Sequence, residues 1–408
     1  MESNRSNARR WVYLALGTLT MLMMGVIYAW SILKAPLGAT FGWDDVELSM
    51  NYTATFSFFC VGSILGSQLT RRIGLRITLL FSGALIGAGY LLTSIMTSSN
   101  VLVLYIFYGA LVGMGTGMAY NTTLSAVNEW FPDKRGTCSG ILMMGFGFST
   151  LLLGNIIAAL FEVPGLGWQW TYRLMGLCTF AVLVLCAFIF RQPTPADGLP
   201  APVRFIQEAE DATPRKTDYT PMEMLRTPSF WTLYVYGVLI GSVGGAVFSF
   251  ARDLALSLGA TAALATALVG VLSAGNGLSR IFVGLLFDRL GSRRTIFLGS
   301  LTVLISPALM LLAIFTHSLP IGILGLVITG LAYGYGPVMG SAVMGDFYGT
   351  KNFSTNYSIN NTKAMLTSFA APMASALYEA AGTYAAPFTV LLCFAAVAFV
   401  LNFFIKRA

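Results

Sequence analysis

The chain has 408 residues, 56% of them apolar and only 10% charged, with a formal net charge of +7 from 24 Lys and Arg against 17 Asp and Glu. A soluble globular domain carries about 25% charged residues, so this composition excludes one and points to solvation by lipid. A single histidine and five cysteines without ligand spacing give no reason to expect a metal centre, a bound cofactor or a disulfide framework.

Six apolar runs come first, at 11–33, 48–69, 77–96, 101–127, 136–161 and 168–190. A polar segment follows at 192–227, rich in Pro and mixed in charge, whose last part (218–226) is expected to form a short surface helix. Six more runs complete the chain, at 228–250, 262–287, 295–316, 320–341, 354–378 and 385–405. Each is about 20 residues or longer, enough to cross a ~30 Å hydrocarbon core. Without water to bond the backbone, and without period-2 alternation, such runs are helices. The first is too long for a signal-peptide core and is expected to be retained. The predicted fold is therefore an all-α membrane protein of twelve transmembrane helices, divided as 1–191, a linker at 192–227, and 228–408.

The cations locate the loops. Of the 24 Lys and Arg, 19 fall in alternate connections or at the termini, among them Arg9, Arg10, Arg71, Arg72, Arg191, Arg293, Arg294 and Arg407. By the positive-inside rule both termini are expected in the cytoplasm, with the chain in the inner membrane of the cell. The net charge then reflects membrane topology and lipid contact, and no nucleic-acid partner is expected. Lys34, at the far end of the first run, is expected to carry its ammonium out to the interface. The cysteines read as small apolar packing residues.

Two cations break the pattern. Arg280 lies eight residues before Asp288, or roughly 12 Å into its run, and Lys363 lies nine residues after Ser354, or roughly 13–14 Å into its own. The two runs cross in opposite directions, so both cations reach one level near the midplane, where transporters commonly place their substrates. A charge there costs at least ~2.5–3.5 kcal/mol on insertion scales. No acidic residue lies at comparable depth. The partner these cations lack is expected to be an anion that comes and goes. Arginine's planar fork suits a carboxylate, and lysine supplies a compact second charge.

The halves repeat. Arg72-Ile73-Gly74-Leu75-Arg76 after the second run matches Arg289-Leu290-Gly291-Ser292-Arg293 after the eighth, at a shift of 217 residues. Glycine lets the turn tighten, and the basic cluster meets the anionic leaflet. The Gly284…Asp288-Arg289…Gly291…Arg293-Arg294 pattern resembles the signature loop of the major facilitator superfamily, whose architecture is two pseudo-symmetric six-helix bundles. Trp130-Phe131-Pro132-Asp133-Lys134-Arg135-Gly136 and Glu223-Met224-Leu225-Arg226-Thr227-Pro228-Ser229-Phe230-Trp231 are similar to segments of its bacterial oxalate–formate antiporter branch, close to the monocarboxylate transporters. One position departs from the pattern: Arg71 stands where the family usually has Asp.

The resemblance implies site residues. An Arg of span 8 and a Lys of span 11 hold the substrate's carboxylates in those antiporters, which corresponds to Arg280 and Lys363. Asn276, four residues before Arg280 on the same helix face, resembles the position of an Asp that pairs with the Arg in proton-coupled monocarboxylate transporters; here it is a neutral amide, which can orient the guanidinium or bond the substrate. Tyr28, Tyr120 and Tyr333 correspond to cavity positions. Gly113, Gly115 and Gly117 of span 4, with Gly140, Gly145 and Gly147 of span 5, read as surfaces along which helices slide.

The expected activity is therefore secondary transport of a small monocarboxylate of lactate or pyruvate size by alternating access, coupled to a proton, with oxalate–formate-type exchange as the alternative. No P-loop and no nucleophile–base cluster is present, so neither ATP-driven pumping nor an enzyme is expected. A monomer is expected.

Overall fold

The computed structural model describes residues 2–194, 197–199, 218–349 and 351–407. Among the described residues there is no strand, and nearly all lie in helices. Eleven helices are long and apolar enough to cross a bilayer: α1 Arg9–Phe41, α2 Asp45–Ile73, α3 Leu75–Ser94, α4 Val101–Glu129, α5 Thr137–Glu162, α6 Gly167–Ile189, α7 Pro228–Ser257, α8 Ala262–Phe287, α9 Arg289–Phe315, α10 Leu319–Tyr348 and, last in the chain, α12 Ala385–Phe404. The remaining predicted span, α11, is built from three pieces, Phe353–Asn361, Lys363–Ser368 and Ala370–Ala381.

The segmentation of α11 has a local cause. Ser and Thr hydroxyls that bond the carbonyl three residues back compete with the helical ladder. Thr362 does so to Ile359 (2.7 Å), Thr367 to Ala364 (2.9 Å) and Ser368 to Met365 (2.6 Å). These bonds cluster around the two steps, at Thr362 and Phe369. The helix stays right-handed through both but tightens at each.

The internal repeat is visible in the backbone. Gly74 between α2 and α3 has φ 88° and ψ 163°, and Gly291 between α8 and α9 has φ 76° and ψ 174°. This region of dihedral space is essentially closed to residues with a Cβ, which is why both hairpins turn on glycine.

Helices α1–α6 pack among themselves, as do α7–α12, and the two groups meet chiefly along two seams, α5 on α8 and α2 on α11. The α2–α11 seam is polar along its length. Ser49 shares a hydrogen bond with Ser375 (3.5 Å), Thr53 donates to the Ser368 carbonyl (3.1 Å) and the Cys60 thiol donates to the Asn361 carbonyl (3.4 Å). In the α5–α8 seam, Ser273 donates to the Gly147 carbonyl at 2.6 Å. A Cβ on Gly147 would stand 2.6 Å from the Gly277 Cα, so the two main chains touch directly. Of the glycines expected to serve sliding surfaces, Gly147 faces the seam most closely. Gly113 and Gly117 pack against α2, Gly115 against α3 and Gly145 against α1, all inside the first group, where they allow close static packing.

At the face carrying the termini, Arg10 pairs with Asp133, and Asp197 receives Arg191 at 2.5 Å and Arg9 at 3.8 Å. The Arg191 guanidinium and the Thr194 N–H together hold the Asp197 carboxyl well below the usual carboxylate range. Most of the predicted linker lies outside the described residues. Its final part forms the expected short helix, Pro221–Leu225, capped reciprocally by Thr220 and Glu223. It docks through Tyr219, whose N–H donates to the Tyr348 carbonyl at 3.0 Å and whose carbonyl accepts from Asn356 at 3.0 Å.

Candidate functional site

Where the seams converge, a small cavity of about 80 Å³ remains at mid-depth. Five of the six sequence-predicted residues line it: Tyr28 from α1, Tyr120 from α4, Arg280 from α8, Tyr333 from α10 and Lys363 from α11. Tyr28 reaches it from a 3₁₀ stretch, Gly25–Ala29, that interrupts α1, a local tightening often found at working positions of helices.

Arg280 is 1% exposed. Its Nη1 donates to the Met143 carbonyl of α5 at 2.6 Å, and its Nη2 donates to Asn276 Oδ1 at 3.1 Å. Asn276, the sixth residue, thus lies behind the cavity wall and orients the guanidinium. The Arg280 Nε and the Asn276 Nδ2 are buried without a hydrogen-bond partner among the described residues. Phe146 lies 5.9 Å below the guanidinium carbon. These contacts orient the charge without neutralising it.

Lys363 begins the middle piece of α11. Its side chain lies in a slot between two glycines, where a Cβ on Gly237 would stand 2.8 Å from its Cδ and one on Gly340 2.9 Å from its Nζ. No acidic residue lines the cavity among the described residues. Asp346, an acid that could have reached inward, instead pairs with Arg407 at 3.8 Å. Two cations therefore share one small space with no fixed counter-ion.

Aromatic rings close the space. Tyr28 stacks edge-on against Phe146 (5.1 Å) and Tyr333 (5.7 Å) and tilts onto Phe248 (5.6 Å), joining α1 and α5 to α7 and α10. Tyr120 meets Phe146 at 5.3 Å and Phe59 at 5.4 Å. Phe146, Phe248 and Asn361 were missed in the sequence. The phenylalanines carry no mark in so apolar a chain, whereas the adjacent amides Asn360-Asn361 inside span 11 were a legible signal.

A second, larger chamber of about 390 Å³ lies toward the face opposite the termini, lined by Lys34, Asp45, Arg252 and Asp253 among others. Lys34 is 9% exposed and bonds Asp45 at 2.7 Å. Its ammonium reaches outward to the exposed carboxylate that opens the next helix.

Comparison with known proteins agrees with this architecture. The family model described as Major Facilitator Superfamily matches residues 14–372, and again residues 237–408. The chain belongs to the Major Facilitator Superfamily. As a member of that superfamily it is a multi-pass membrane transporter and not an enzyme. It is 28% identical over 353 residues to the oxalate:formate antiporter of Oxalobacter formigenes, covering 85% of this chain and 80% of the relative. It is 25% identical over 291 residues to apicoplast pyruvate carrier 1 of Toxoplasma gondii, covering 58% and 52% respectively. Among solved structures, a D-xylose–proton symporter superposes with a TM-score of 0.72 over 97% of both chains at 16% identity, a likeness of fold.

Proposed function

We propose that this facilitator is a secondary transporter of small carboxylates that works by exchanging one carboxylate for another. The observation that carries the reading is the pair Arg280 and Lys363 in one cavity of about 80 Å³ without an acid among its described lining residues. An anion that neutralises them lowers the cost of enclosing both charges, and this gives the loaded carrier a reason to close and reorient. The small volume favours anions of a few heavy atoms. The relative named as an oxalate:formate antiporter supports the same class. Exchange thereby moves ahead of the proton-coupled monocarboxylate reading expected from the sequence. That second reading keeps one observation in its favour: Tyr28, Tyr120 and Tyr333 line the cavity, and a tyrosine hydroxyl can bond a lactate- or pyruvate-like oxygen.

In this proposal residues 1–191 and 228–408 rock about the site as a monomer, joined by the linker at 192–227. Both termini face the cytoplasm across the inner membrane. The test is uptake of labelled oxalate, formate, lactate and pyruvate into proteoliposomes, with and without internal carboxylate. Exchange requires internal carboxylate and ignores an imposed pH gradient. Lactate or pyruvate uptake driven by the pH gradient alone would overturn exchange and restore the proton-coupled reading.

A further inference from the structure

Glycines line the cavity from two helices, Gly237 and Gly241 from α7 and Gly336 from α10. Packing accounts for the α7 pair. A Cβ on Gly237 would stand 2.8 Å from the Lys363 Cδ, and one on Gly241 2.7 Å from the Thr367 Cγ2, so α11 lies too close to α7 for a larger residue at either position. Gly336 is under no such demand. Outside its own turn of helix, the nearest atom to a Cβ built there is the Ile240 Cδ1 at 3.9 Å, an ordinary contact. The proline that follows does not require glycine either. A side chain before a helical proline is disfavoured, yet Ala35 precedes Pro36 and Ser306 precedes Pro307 inside helices of this chain. Glycine inside a helix is destabilising relative to alanine. What its missing methyl leaves is space. Tyr333, Gly336 and Pro337 share one face of α10 and all line the cavity, so that space belongs to the cavity. A methyl fills about the room of one water, ~30 Å³, which is a large part of a cavity of about 80 Å³.

We infer that Gly336 sets the upper size of the anion this carrier can enclose. The inference rests on the carboxylate reading above and narrows it. With glycine at this position the cavity closes around a carboxylate that carries a further group, as oxalate and pyruvate do. With a methyl there it closes only around the smallest carboxylate, formate. The selection is by volume, because Gly336 brings neither charge nor a side-chain hydrogen bond. Acids of equal size and different charge therefore meet the same limit.

The test is concentration-dependent counterflow of labelled formate, oxalate and pyruvate in proteoliposomes carrying wild type, Gly336→Ala, or Gly336→Ala together with Ala364→Gly. In Gly336→Ala the KM values of oxalate and pyruvate rise alike, by about fivefold or more relative to that of formate, as crowding of a filled site requires. Ala364 of α11 also lines the cavity, so Ala364→Gly gives back the methyl's room from another wall. The double variant returns both larger acids toward their wild-type KM. A merely structural role for Gly336 on α10 is not relieved by trimming α11. Formate uptake shows that Gly336→Ala folds; if that variant takes up nothing, recovery in the double variant upholds the size limit and continued silence overturns it. Equal weakening for formate and the larger acids overturns it, as do KM values that do not move and a loss confined to oxalate or to pyruvate. Wild type that carries formate alone overturns the size limit and leaves the carboxylate reading standing. Wild type that takes up none of the three overturns both.

Discussion

Gly147 offers the most direct test of the closed arrangement. In Gly147→Ala the added Cβ meets the Gly277 Cα at 2.6 Å, its nitrogen at 2.9 Å and the Asn276 carbonyl carbon at 3.3 Å. All three are main-chain atoms of α8, so no side chain can turn aside, and α5 and α8 must part by nearly an ångström to regain the ~3.5–4.0 Å of ordinary carbon contact. Overpacking of this kind costs about 1–3 kcal/mol. Only the closed arrangement bears that cost, so the open population rises about 5- to 150-fold. Cys60 reports it: the thiol is 2% exposed in the α2–α11 seam, and opening uncovers it. Alkylation with N-ethylmaleimide, followed by peptide mass spectrometry, reads Cys60 against Cys186, which is buried inside the first group of helices. Cys60 is expected to react faster by that factor while Cys186 keeps its rate. Equal Cys60 rates in wild type and variant, with the protein monodisperse, would refute the seam's role. Parallel acceleration of Cys186 would show general loosening in place of seam opening.

Three further outcomes are expected. Arg280→Ala abolishes carboxylate uptake, and Arg280→Lys lowers it about 10- to 150-fold, because the charge survives while the forked bonds to Met143 and Asn276 do not; wild-type uptake by either variant removes Arg280 from the site. Gly74→Ala and Gly291→Ala each destabilise by about 1–3 kcal/mol, since both residues occupy dihedrals that a Cβ forbids, whereas Gly284→Ala, with open space around it, leaves the thermal midpoint unchanged. The Asp197 carboxyl is held below its unfolded value, so its stabilising contribution is present above about pH 4 and fades as the pH falls toward the folded value. Thermal unfolding between pH 7 and pH 3 is therefore steeper in wild type than in Asp197→Asn.

Much of this molecule could be read from residue types. The runs of apolar residues and the alternation of Lys and Arg placed twelve traverses, and the paired glycines at 74 and 291 marked two hairpins with one unusual backbone conformation. Counting residues inward brought Arg280 and Lys363 to one level, and the structure puts both on one cavity. The spacing of Asn276 from Arg280 put both on one helix face, and the structure joins them by a hydrogen bond. What escaped notice belongs to geometry that residue identity does not encode. The Met143 carbonyl that receives Arg280 is main chain, so no residue type announces it. The steps in α11 come from hydroxyls turning back on their own helix, an effect of rotamer choice. The glycines of α4 looked like sliding surfaces because spacing reports closeness of approach and says nothing about which helix approaches. The Asp45 partner of Lys34 escaped notice because it sits beyond a turn, where helical spacing no longer predicts neighbours.

The bond from Arg280 to Met143 has a consequence for how this protein can vary. Its acceptor is shared by every amino acid, so no exchange of the Met143 side chain removes it. Substitutions at that position can alter the fit of the surrounding wall and leave the tie between the two groups of helices in place. Only a change at Arg280, or a displacement of α5 as a whole, can cut it. The link is thus insulated from mutation on one side and fully exposed to it on the other, and natural variants that lose it are to be sought at residue 280.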